Sequence, residues 1–184
     1  MAIYHEETIL KGLRSDDPAA RRKAFEEIVK NYSEKLYWQI RKMVLSHDDT
    51  NDLLQNTFIK AWMHIDLFRG EAKIYTWLYK IAVNESLTFL NKQHAHTYIS
   101  MDDSEIRLSD KLETDEFFDG DAAQLKLQKA ILTLPEKQRI VFNMRYFDEM
   151  PYEEMSTVLD TSVGALKASH HHATKKIEVF LTTH

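Results

Sequence analysis

Four glycines and three prolines in 184 residues leave this chain few places to turn sharply. Glycine supplies the positive backbone angles of tight hairpins, and proline presets the opening of many turns. A fold of many short strands would lack its punctuation here. Long helices joined by a few polar breaks remain. Apolar residues form 43% of the chain, enough for a core, and charged residues 29%. The length suits one or two compact domains. Cysteine is absent, which removes disulfides and thiolate chemistry and fits a reducing compartment. The opening residues, MAIYHEETILKGLRSDD, hold no apolar run of signal-peptide length. No stretch approaches the length of a membrane span. The expectation is an all-α, cytoplasmic protein with no membrane insertion.

Apolar spacing places the helices. Phe25, Ile28, Val29, Tyr32, Leu36, Ile40, Met43 and Val44 recur at three- and four-residue steps. A break at Ser46 to Asp49 follows, with Asp48 or Asp49 suited to cap a second helix. The spacing predicts Leu54, Phe58, Ala61, Trp62 and Ile65 as that helix's inner stripe. After a loop at Phe68-Arg69-Gly70-Glu71, a third helix is expected from about Ile74 to Asn91. Its apolar residues cover more than one side, so it is either deeply packed or offers aromatic surface to a partner. Trp77 fits both roles, and Tyr79 fits packing or surface better than recognition. A further helix is expected from about Ala122 to Leu132. Pro135 suits the first position of the next, striped by Ile140, Val141, Met144 and Phe147.

The stretch Pro151 to Ile177 reads as a short helix, a turn and a longer helix. Glu153 and Glu154 stand in the first turn of the short helix, at the positive end of its dipole. Met155, Val158 and Leu159 form its apolar side. Asp160 falls at the turn and tolerates left-handed backbone. Thr161 or Ser162 can cap the second helix. Val163, Leu166, Ala173 and Ile177 form its inner stripe, with Gly164, Ala165, Lys167, Ala168, His171, His172 and Lys175 facing outward. This is the helix-turn-helix pattern, whose second helix enters the DNA major groove. Small residues at its start let the helix N-terminus approach DNA closely. Helical hairpins that never touch DNA share the pattern.

A net charge of −5 looks wrong for a DNA-binding chain until it is localised. Residues 1–94 carry 14 Lys and Arg against 13 Asp and Glu; residues 95–121, two against nine; residues 122–184, eight against seven. The acidity sits in the middle segment, whose poor patterning reads as a flexible linker. Neither flank is basic enough for tight independent DNA binding through phosphates. No internal repeat is visible. The expected domains are 1–94, an acidic linker 95–121, and 122–184.

Three runs carry a resemblance to the extracytoplasmic-function (ECF, group IV) sigma factors of the sigma-70 family. DDTNDLLQNTFIKAW at 48–62 resembles the family's polymerase clamp-docking stretch. FRGEAKIYTWLYKIAVNESLTFL at 68–90 resembles its promoter-melting and minus-ten-reading stretch. LPEKQRIVFNMRYF at 134–147 with YEEMSTVLDTSVGALKAS at 152–169 resembles its minus-35-reading domain. The resemblance implies an all-α protein of two sigma domains that directs core RNA polymerase to promoters and catalyses nothing itself.

It also implies site residues. Asp52, Gln55, Asn56 and Ile59 would dock on the clamp. Phe68, Lys73, Tyr75, Trp77, Lys80 and Asn84 would capture unpaired minus-ten bases, with aromatic faces for stacking and Asn84 for a base edge. Ser162, Gly164, Ala165, Lys167, Ala168, His171, His172 and Lys175 would read the minus-35 element. The implied partners are core polymerase through its clamp and flap regions, promoter DNA both paired and melted, and an anti-sigma factor, often membrane-bound in the family. The linker would thread toward the polymerase's basic channels. No cofactor or metal is implied.

The sequence departs from the family in places. Arginines common at the positions of Ser169, His172 and Thr174 are replaced, which removes a frequent guanine contact. Asp160 stands where glycine is frequent, and His170 where a bulky inner residue is usual, so half-burial is expected there. The basic cluster common after the third helix is reduced to NKQHAH. His170, His171 and His172 point about 100° apart on a helix and cannot share one ion. Weighed against this reading are a helix-turn-helix regulator acting without polymerase, a metal-dependent hydrolase on a helical bundle, and a plain helical adaptor.

Overall fold

A computed structural model describes residues 2–68, 70, 72–97 and 122–183, all of their regular structure helical. Side chains of 2–5 and 94–97 are outside that description, as is the acidic run 98–121. The described chain forms α1 (Ala2–Leu13), α2 (Pro18–Val44), α3 (His47–Met63), a 3-10 turn (Ile65–Leu67), α4 (Ile74–Thr97), α5 (Ala122–Leu132), α6 (Glu136–Tyr146), α7 (Tyr152–Leu159) and α8 (Val163–Thr183). Two compact units divide at Gln93 and His94. Among the described residues, no helix is long and apolar enough to cross a membrane.

In the first unit, α2 begins where Asp17 accepts the Ala19 N–H at 3.0 Å and Pro18 takes the first turn. It ends at Leu45, in left-handed conformation (φ 61°), whose N–H returns to the Arg41 carbonyl. Ile28, Leu36, Ile40, Met43 and Val44 enter the core as expected, whereas Phe25, Val29 and Tyr32 are half-buried.

Ser46, rather than Asp48 or Asp49, caps α3: its Oγ accepts the Asp49 N–H at 3.3 Å. The buried line of α3 is Thr50, Leu53, Thr57 and Ala61. It lies one position away from the expected stripe, sharing only Ala61 with it. Leu54 and Phe58 are half-buried, and Trp62 is 42% exposed. Ile65 is buried, but from the 3-10 turn. Apolar counting missed the line because two of its members are threonines. Thr50 and Thr57 return their hydroxyls to the carbonyls of Ser46 and Leu53, at 2.6 and 2.7 Å. With the hydroxyl satisfied, a threonine packs inward like a small apolar residue.

The third helix starts at Ile74 as expected but ends at Thr97 rather than Asn91. Ile74, Leu78, Tyr79, Ala82, Val83, Ser86 and Leu90 are all buried, so α4 is the central helix of the unit. Tyr79 belongs wholly to packing. The helix α1, which no sequence argument singled out, packs against α2. A Cβ on Gly12 would stand 2.7 Å from that of Ala24, so only glycine permits this approach.

In the second unit, Pro135 sits just before α6 as its N-cap residue. Six consecutive residues of α6, Arg139 to Met144, are buried, which makes it the central element there. Ala130, Ile131, Leu134, Phe142, Ala173 and Ile177 form the core. Phe147, expected in the α6 stripe, packs partly against it. Burial lowers the Arg139 pKa from its ordinary value, and Glu136 opposes that shift.

Candidate nucleic-acid interface

The second unit presents its candidate interface along α8. Asp160 takes the left-handed turn conformation (φ 48°, ψ 41°), so the turn forms without glycine. Of the two expected caps, Ser162 acts: its Oγ accepts the Ala165 N–H at 3.3 Å. Thr161 instead donates to the Leu159 carbonyl. Leu166, Ala173 and Ile177 are buried and Val163 half-buried. Ser162, Gly164, Ala165, Lys167, Ala168, His171, His172 and Lys175 are all exposed. A Cβ at Gly164 would meet nothing within 4 Å, so packing does not demand glycine there.

His170 is half-buried, as expected. Its ring stacks on Phe142 at 5.9 Å and 15°, and Phe142 stacks on Tyr146 at 5.2 Å. Desolvation, then Arg145, then His171 hold its pKa below the usual histidine value. Sequence reasoning missed the surroundings of Tyr152. The Arg145 guanidinium stands 5.5 Å from its ring centre and the Lys167 ammonium 5.7 Å. Cations over an aromatic ring are attracted to it, so Tyr152 ties Lys167 of α8 to Arg145 of α6. Nothing in the linear pattern announces a residue held from two other helices.

The first unit presents two sets of residues. Asp52, Gln55, Asn56 and Ile59 are exposed at three- and four-residue steps, hence on one side of α3. Ile59 is 50% exposed, and the apolar surface continues with Met63 at 70% and Leu67 at 72%, neither singled out from sequence. The other set lies around α4. Trp77, Lys80 and Asn84 also recur at such steps and share one side of it, and Lys73 stands immediately before its first residue. Phe68 joins them, its ring 5.0 Å from that of Trp77. Asn84 and Lys73 are exposed, while Phe68, Trp77 and Lys80 are half-buried. Trp77 thus combines packing with remaining exposure. Tyr75 stands apart, about 160° around the helix from Trp77. It stacks on Tyr32 at 5.9 Å, meets Tyr79 edge-on at 5.6 Å, and has the Lys35 ammonium 6.0 Å from its ring.

Two all-helical units, the second built around a helix-turn-helix, are the parts of the chain that sigma-70 family models match. The family model described as sigma-70 region 2 matches residues 28–96, and that for sigma-70 region 4 matches residues 124–177. The ECF RNA polymerase sigma factor SigW of Bacillus subtilis is 31% identical over 156 residues, covering 80% of this chain and 83% of SigW. The ECF sigma-E factor of Escherichia coli K12 is 31% identical over 171 residues, covering 85% of each chain. Among solved structures, the fold resembles the sigma factor RpoE of Bartonella quintana, solved with the anti-sigma factor NepR. Its TM-score is 0.72 at 21% identity, with 88% of this chain and 98% of RpoE covered. CnrH, solved with the cytosolic domain of CnrY, gives 0.67 at 19% identity, covering 97% of each chain.

The chain belongs to the extracytoplasmic-function RNA polymerase sigma factors. It directs core RNA polymerase to promoters and initiates transcription, and it is not an enzyme.

Proposed function

We propose the following division of labour, with domains at 1–94 and 122–184 joined by the acidic linker 95–121. Asp52, Gln55, Asn56 and Ile59 dock on the polymerase clamp, the exposed Ile59 adding apolar contact to a polar face. Phe68, Lys73, Trp77, Lys80 and Asn84 hold the unpaired minus-ten strand: Phe68 and Trp77 stack, the lysines meet phosphates, and Asn84 hydrogen-bonds a base edge. Tyr75, fitted between α2 and α4, holds that group in place from behind. Ser162, Gly164, Ala165, Lys167, Ala168, His171, His172 and Lys175 read the minus-35 duplex. Lacking the usual arginines, they read it through thymine-methyl contacts to Ala165 or Ala168, histidine hydrogen bonds and groove shape. The protein works in the cytoplasm. As RpoE has NepR, this chain has an anti-sigma partner that withholds it from polymerase.

The observation that carries the reading is the α8 surface, where all eight candidate residues are exposed behind a capped N-terminus. Run-off transcription with purified core polymerase and a genomic promoter pool tests it. The full chain selects a set of start sites. His172→Ala and Ala168→Ser change the preferred minus-35 sequence, with losses of about 1–3 kcal/mol at the bases they touch. An unchanged promoter set for both variants would refute the assignment of α8.

A further inference from the structure

A cleft of about 480 Å3 opens beside α8, lined by Arg145, Tyr146, Glu149 and His170. His170 and Tyr146 are the two ends of the aromatic column that runs through Phe142, and Tyr146 is 56% exposed. Arg145 Nη1 donates to the Glu149 carbonyl at 3.3 Å. Glu149 holds φ 49°, a backbone region that side chains disfavour. Tyr152 meets the His170 ring edge-on at 6.2 Å and carries the Lys167 ammonium on its own ring. Lys167 lies on the outward side of α8, so the cleft borders the surface assigned to duplex DNA. In a helix-turn-helix the first helix crosses the sugar-phosphate backbone, and here that helix begins at Tyr152. The charges around His170 are Arg145 from α6, Glu149 from the turn after it, and Lys167 and His171 from α8 itself. Tyr152 is the titratable neighbour from α7. Within the lining, Arg145 and Glu149 cancel while His170 is neutral. Protonation of His170 leaves the lining with one net positive charge.

We propose that this cleft is a proton-gated anion seat, in which protonated His170 and Arg145 together hold one backbone phosphate at the edge of the minus-35 element. The proposal rests on the reading of α8 as the minus-35 reader. It adds a contact that comes from the inner side of α8 and from α6, outside the eight outward residues. Phosphate contacts fix position on the duplex and carry no base sequence. In the free protein, desolvation, then Arg145, then His171 resist the His170 proton. A phosphate beside the ring offsets both cations, so binding takes up a proton there. By linkage, the grip on that phosphate strengthens as pH falls below about 6.5. Glu149 makes the gate: its carboxylate opposes a second anion until His170 is charged.

The test uses holoenzyme assembled from the full chain and core polymerase. It is titrated with duplexes of a promoter found by run-off, each carrying one uncharged methylphosphonate in place of a phosphate around the minus-35 element. In the wild type, one such linkage is expected to cost about tenfold in affinity at pH 5.5, the scale of one hydrogen bond between charged groups, and less than about twofold at pH 7.5. His170→Phe, which keeps a ring against Phe142, is expected to lose that pH dependence. Glu149→Gln, at an exposed position, leaves Arg145 uncancelled and is expected to bring the large loss to pH 7.5. Should His170→Phe fail to assemble with core, Glu149→Gln decides alone. A wild-type profile alike at both pH values overturns the proposal, as does a His170→Phe profile that keeps the difference. If linkages matter but neither pH nor these variants alter the losses, the minus-35 reading stands and only the seat falls. Indifference to every linkage, with promoter preference also unmoved by His172→Ala, defeats both. Inorganic phosphate that shifts the His170 ring resonances while no linkage matters would make the guest a free anion, and overturns the proposal too.

Discussion

Folding changes the protonation chemistry of His170. Its half-buried ring stacks on Phe142, and partial desolvation, with Arg145 and His171 as the nearby charges, brings its pKa below the ordinary 6.5. Above that value folded and unfolded forms are both neutral. As pH drops below about 6.5, the unfolded chain takes up a proton that the folded one resists, so stability declines with falling pH. The expected outcome is a melting temperature that falls between pH 7.5 and 5.5 in the wild type and less steeply in His170→Phe. Parallel curves for the two proteins would show that the burial of His170 has no such cost. Half-burial at 170 was expected from the resemblance, which puts a bulky inner residue at that place. The stack of Tyr146, Phe142 and His170 was not, because it joins two helices. Thr50 and Thr57 show the reverse failure: a locally satisfied hydroxyl hides an inward-facing residue from any count of apolar side chains.

Among the elements, α1 and α3 departed most from expectation. A shift of one position turns a helix face by about 100°, so the true α3 line of Thr50, Leu53, Thr57 and Ala61 leaves Trp62 at the margin. There Trp62 meets Phe25 at 5.0 Å, and its remaining surface is open. Asp52, Gln55, Asn56 and Ile59 remain exposed despite the shift, because all four lie off the buried line. The position of α1 depends on Gly12, whose missing Cβ lets α1 and α2 approach. Gly12→Val is expected to cost about 1–3 kcal/mol through overpacking, read as a lower midpoint in urea unfolding. Unchanged stability would show that the α1–α2 contact relaxes freely.

At the scale of the whole molecule, both units belong to one initiation factor, and the strongly acidic segment lies between them. Asp110, Glu113, Asp115 and Glu116 place like charges close together in that segment. Neutralising all four to Asn and Gln is expected to reduce productive initiation and to change the ratio of abortive to full-length RNA. Equal yields would remove any role for this charge in the polymerase channels. Two all-α units and the helix-turn-helix were determined by the sequence by itself. Scarce glycine and proline, helical spacing and capping side chains act over a few residues and are visible in linear order. The ordered motifs at 48–62, 68–90 and 134–169 likewise sufficed for the family. Only the tertiary structure decided that Tyr75 stacks on Tyr32, that Tyr152 is gripped by Arg145 and Lys167, and that α1 lines a cavity beside Phe68. Those relations depend on which helices meet and at what rotation, and helical periodicity specifies a face without specifying its partner.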